Sequence, residues 1–154
     1  MLVQTLMKAF VLAILAAHSI QSFAWLSETT DGKWRSGFGQ GTAEAEVTHS
    51  SGNKIYVACN SNSAIHFTLA GDGPQPNSEV VLIFDGQKPI GVPVNKFGDL
   101  ASSSRAEASV FEYVITRFKR HKTILVRFSD GRESTFTLKG ASEAISDCPS
   151  GFSQ

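Results

Sequence analysis

The side chains able to do chemistry are few: four histidines, two cysteines, fourteen carboxylates and a serine triplet in 154 residues. Metal centres want His, Cys or carboxylate at tight spacings such as His-x-x-x-His. His49, His66 and His121 stand far apart, and His18 lies in an N-terminal leader, so no metal or other cofactor is expected. The chain lacks a Gly-x-Ser-x-Gly nucleophile elbow, and Ser102-Ser103-Ser104 reads as loop. Asp72 and Glu79 could in principle act as a pair in glycoside hydrolysis. No apolar setting marks either as the proton donor such a pair needs. Gly37-Phe38-Gly39-Gln40-Gly41 has the look of a phosphate loop, but no Lys-Ser/Thr pair follows it. No catalytic residue is assigned.

The two cysteines gain meaning from the start of the chain. Lys8 precedes the apolar run Ala9–Ala17, and Ser22-Phe23-Ala24 places small residues where a signal peptidase reads. The run is far short of the roughly 20 residues that span a bilayer. Residues 1–24 are therefore expected to be a cleaved export signal, leaving a periplasmic or secreted chain without a membrane anchor. Export takes Cys59 and Cys148, the only cysteines, to an oxidising compartment where they are expected to pair. Such a bridge closes a loop worth about 4–5 kcal/mol in the chain-entropy account. The competing use, a nucleophilic cysteine with a histidine base, needs a free thiolate.

Bases and acids balance at 14 each, which gives no net field to attract nucleic acid. Against that even background one cluster stands out: Arg117, Lys119, Arg120, His121 and Lys122. It reads either as a solvated helix end, with cations favoured by the C-terminal dipole, or as a docking patch for an acidic partner or an anionic envelope polymer.

Positioning these groups falls to a β-rich chain. A hydrophobic share of 42% with 18% charged residues is globular composition. Residues 25–41, rich in Gly, Ser and Thr, read as an irregular arm, and residues 42–154 as one domain. Ala45–His49 and Lys54–Cys59 flank a hairpin turn, and Ile55, Val57 and Cys59 share one face by the period of two. His66 alternates with Ile65 and Phe67 on a half-buried strand. Val80–Phe84 is continuously apolar and expected at a sheet centre, while Pro89 and Pro93 demote the strand Ile90–Val94 to an edge. Lys96–Arg105 reads as a polar loop. From Ala106, Val110, Phe111, Val114, Ile115 and Phe118 form a helical stripe. Thr123–Phe128 and Ser134–Leu138 make a hairpin, and Gly140–Asp147 a short helix carrying Cys148. The expected fold is mainly β with two helices and one disulfide, as a β-sandwich or a curved antiparallel sheet.

The order of these later elements, from Lys122–Phe128 through Ser134–Ile145 to Cys148, resembles small bacterial periplasmic proteins of the invasion-associated locus B and type VI secretion-associated type. The resemblance spans about residues 54–148, with Cys59 at the partner cysteine. It implies a non-catalytic periplasmic protein working by protein–protein contact. The expected function is that of a soluble periplasmic or secreted binding protein, an accessory, inhibitor or immunity factor for an envelope-active protein, as a monomer or homodimer. The alternative is a small envelope hydrolase acting on peptidoglycan or a glycan.

Overall fold

The structure, a computed structural model of the chain, describes residues 32–49, 51–146 and 148. The expected export signal lies outside the described residues. Among the described residues nine strands form two antiparallel sheets. The larger comprises β1 (Arg35–Gly39), β2 (Thr42–Thr48), β3 (Lys54–Cys59), β4 (Ala64–Thr68) and β7 (Asp99–Ala101), in the order β1-β2-β3-β4-β7. The smaller comprises β5 (Glu79–Phe84), β6 (Ile90–Pro93), β8 (Thr123–Arg127) and β9 (Glu133–Thr137), in the order β6-β5-β8-β9. Two helices complete the fold of the described residues, α1 (Arg105–Arg120) and α2 (Ala141–Ala144).

Alternation decides which face is buried. Ile55, Val57 and Cys59 of β3 join Ala45, Val47, Ile65, Phe67 and Leu100 on the inner face of the larger sheet. Val80, Leu82, Phe84, Ile124, Val126 and Phe136 do the same for the smaller sheet, and both sets belong to one core. Each such large apolar side chain contributes about 1.5–3 kcal/mol on burial. β5 pairs on both edges, as its apolar run suggests, yet only alternate residues are fully buried; Val81 and Ile83 are half-buried. β6, with its prolines, is an edge strand.

Two expectations about loops need correcting. Residues 35–39 of the segment read as an irregular arm form β1, paired with β2 from Arg35 opposite Glu46 to Gly39 opposite Thr42. Gln40 and Gly41 both take positive φ (51° and 79°), the conformation of a two-residue turn whose twist suits a hairpin. Part of the polar loop Lys96–Arg105 forms β7, three residues that extend the sheet beyond β4. The terminal helix is shorter than expected, four residues long.

Helix α1 begins at Ser104, whose hydroxyl accepts from the Glu107 N–H at 3.2 Å, with an acid in its first turn and bases in its last. Its stripe of Ala108, Phe111, Val114, Ile115 and Phe118 is buried. Phe118 meets Trp34 edge-on at 6.0 Å and Phe84 at 6.1 Å. The Trp34 indole N–H donates to the Thr137 carbonyl at 2.8 Å, tying the approach to β1 onto β9 of the other sheet. Arg132 makes a second tie, donating to the Leu69 carbonyl (2.7 Å) and the Gly73 carbonyl (3.2 Å). The third is covalent: Cys59, at the inner end of β3, is bridged to Cys148 across 89 residues.

Asp85 makes the most heavily bonded corner. It sits after β5 in the left-handed region (φ 46°), which Asp tolerates better than most residues. Its carboxylate accepts from His121 Nδ1 (2.9 Å), from the backbone N–H groups of Lys122 (3.0 Å) and Thr123 (2.8 Å), and from the Thr123 hydroxyl (3.1 Å). The His121 hydrogen bond first, then that of the Thr123 backbone, lowers its pKa to about 2. A carboxyl titrating lower in the folded than in the unfolded chain stabilises the fold at higher pH, and that contribution fades as pH falls from about 4 towards 2. Asp85→Asn should therefore melt below the wild type at pH 7, with the gap narrowing as the pH is taken to 2. Equal melting temperatures at both pH values would contradict the role given to this carboxylate.

Candidate functional site

The outer face of the larger sheet carries a polar row that crosses all five strands. Arg35 lies opposite Glu46, Glu46 opposite Tyr56, Tyr56 opposite His66, and His66 opposite Asp99. Because directly paired residues point to the same side of a sheet, the register alone brings these five side chains into line. The Tyr56 hydroxyl donates to Glu44 Oε1 at 2.6 Å, and burial together with this bond raises its pKa. His66 Nδ1 lies 2.6 Å from Asp99 Oδ1, and its ring sits 5.4 Å from that of Tyr56. Beside the row runs a strip of small residues in the next register position: Gly37, Ala58, Ala64 and Ala101, interrupted by Glu44.

Glu46 is the anomaly of this face. It is only 1% exposed, and its Oε1 has no hydrogen-bond partner. Burial raises its pKa; Lys54 and Arg35 oppose the rise, and Glu44 adds to it. A carboxylate kept where ionisation is disfavoured lowers stability at neutral pH, and such groups concentrate at functional sites.

The basic helix end looks different once folded. His121 is tied to Asp85 through Nδ1, and its Nε2 lies 3.5 Å from Arg117 Nη1. Arg117 stacks 4.5 Å from the Tyr113 ring centroid and 5.6 Å from that of Phe84. Lys119 is half-buried, which leaves Arg120 and Lys122 as the exposed members. The cluster is thus partly absorbed into the corner that Asp85 builds. Asp72 and Glu79, the pair considered for hydrolysis, lie exposed in the loop after β4 and at the start of β5. Among the described residues no group of three or more His, Cys, Asp and Glu is arranged to hold a metal ion.

The polar row escaped the sequence because its members come from five separate strands. One local signal was present: Glu44, Glu46, Tyr56 and His66 all occupy the positions opposite the apolar residues of their strands.

Removing the charge of Glu46 while keeping its shape tests this account of the face. Glu46→Gln should raise the melting temperature at pH 7. The gain should vanish in acid, where the native carboxyl binds its own proton in both the folded and unfolded chain. A variant less stable than wild type at neutral pH would mean that pairing with Lys54 and Arg35 outweighs desolvation.

No curated protein and no solved structure matches the chain. A family model does, over residues 32–145, a span that takes in all the strands and both helices of the described residues. The chain belongs to the YfjT family.

Proposed function

We propose that the chain is an exported binding protein that presents the outer face of its larger sheet to a protein partner in the cell envelope. The observation that carries this reading is the row Arg35–Glu46–Tyr56–His66–Asp99, held in register across the sheet and braced by the Tyr56–Glu44 and His66–Asp99 contacts. A braced side chain loses little freedom on association, and a tyrosine on a rigid strand supplies contact area at low entropic cost. The adjoining strip of Gly37, Ala58, Ala64 and Ala101 lets a partner approach the backbone closely. Export is supported by the Cys59–Cys148 disulfide, which belongs to an oxidising compartment. No helix among the described residues is long and apolar enough to cross a membrane. The resemblance of residues 54–148 to small periplasmic proteins points the same way.

A long side chain on the small strip should obstruct the face without touching the core. Ala58→Arg is expected to shift stability by no more than about 0.5 kcal/mol, the usual range for surface changes. It should also abolish retention of the partner that the exported wild-type chain captures from a periplasmic extract and mass spectrometry identifies. Thr135→Arg, an exposed position on the outward side of β9, should retain that partner. Capture undiminished by Ala58→Arg would remove the sheet face from consideration. Turnover of peptidoglycan fragments by the purified chain, lost on a single carboxylate substitution, would favour a hydrolase instead.

A further inference from the structure

Next to the end of the polar row, between the turn that leads into β7 and the first turns of α1, the surface opens into a cleft of about 480 Å³. That size lies within the range of small-molecule sites, about 300–1,000 Å³. Its floor is apolar: Val94 and Leu100 are buried there, and Val110 of α1 is half-buried. Phe97 stands at the rim with 73% of its surface exposed, the most exposed large apolar residue among those described.

The exposure of Phe97 is built into the backbone. Asn95 Oδ1 accepts from the N–H groups of Phe97 (2.8 Å) and Asp99 (3.1 Å), and the Gly98 N–H closes the turn on the Asn95 carbonyl at 3.0 Å. Gly98 takes φ 82°, and a Cβ there would come within 3.0 Å of the Pro74 carbonyl oxygen, so the position requires glycine. A second strut runs from the Asn77 N–H to the Asn95 carbonyl at 2.9 Å. A rigid turn thus holds an aromatic ring in water, where it does nothing for the core.

The polar groups around the cleft narrow the ligand. Lys96 lies over the Phe97 ring at 5.0 Å, and Asp99 is engaged by His66. Asn77, Asn95, Ser103 and Glu107 line the same space. They offer neutral donors and acceptors and one carboxylate. An anionic ligand would face Glu107 and Asp99, and a cationic one Lys96. A purely apolar ligand would leave amides and a hydroxyl desolvated without partners. A sugar ring satisfies all three constraints: it is neutral, it carries hydroxyls for the amides and the carboxylate, and it has a C–H face to lay on an aromatic ring.

We propose that this cleft binds a neutral saccharide, with Phe97 as the stacking platform and Asn77, Asn95, Ser103 and Glu107 as the hydrogen-bonding set. The cleft adjoins the sheet face proposed for a protein partner and shares Asp99 and Ala101 with it. The test is a titration of the isotope-labelled exported chain, followed by NMR, with two probes at millimolar concentration: the β-1,4-linked tetramer of N-acetylglucosamine and the corresponding tetramer of glucose. Amide shifts should be confined to Asn77, residues 95–101, Ser103 and Glu107. Response to the first probe alone identifies an amino-sugar polymer, and response to the second or to both identifies a less selective glycan site; each supports the proposal. Phe97→Ala should weaken binding at least about tenfold with an unchanged melting temperature, and Phe97→Trp, a larger platform, should retain or tighten it. Absence of localised shifts with either sugar, or shifts indifferent to Phe97→Ala, would overturn the proposal.

Discussion

Strand β3 is the constraint on which the rest depends. It lies at the middle of the five-stranded sheet, and its period of two sends Ile55, Val57 and Cys59 inward while Lys54, Tyr56 and Ala58 face outward. The inward set anchors the core and, through Cys59, the C-terminal segment. The outward set places Tyr56 at the centre of the polar row and Ala58 in the strip beside it. A one-residue slip would exchange the two faces, moving lysine and tyrosine into the core and the disulfide sulfur to the surface. Hydrophobic burial thereby fixes the register, and the register fixes the site.

The two functional surfaces proposed here are held by different devices. The sheet face is aligned by backbone pairing, and its side chains are braced by neighbours on adjacent strands. Phe97 is presented by a turn that its own asparagine and glycine lock. Tyr56 and Phe97, the aromatic groups assigned to binding on the two surfaces, lie outside the buried core, and burial disfavours the charge of Glu46. Stabilising polar contacts are concentrated elsewhere. Asp85 binds the end of β5 to the start of β8, and Arg132 fastens the β8–β9 turn to the chain beyond β4. The basic helix end serves this second purpose in part, since His121 and Arg117 are engaged at the Asp85 corner.

Elements dictated by apolar periodicity were legible in the sequence: β3, β4, β5 and α1 each carry enough buried residues to show their period. The half-exposed position of His66 followed from its place between Ile65 and Phe67. Strand β1 was obscured because Gly37 and Gly39 have weak strand preference, and its hairpin turn uses Gln40 where a second glycine or asparagine would have announced it. β7 is three residues long, too short for any period. The polar row was hidden for another reason: residues 35, 46, 56, 66 and 99 become neighbours only through pairing across four strand interfaces. Composition also concealed Phe97, a single aromatic in a segment that is otherwise polar.

The claim at the centre of this account is that the outer face of the larger sheet meets a protein partner. Site-specific photo-crosslinking in intact cells tests it most directly, with a benzophenone side chain placed in turn at position 64, within the small strip, and at position 135, on the outward side of β9. A discrete adduct from position 64 and none from position 135 is the predicted result. Adducts from position 135 alone, or none from position 64 in cells where the protein is folded and exported, would contradict it.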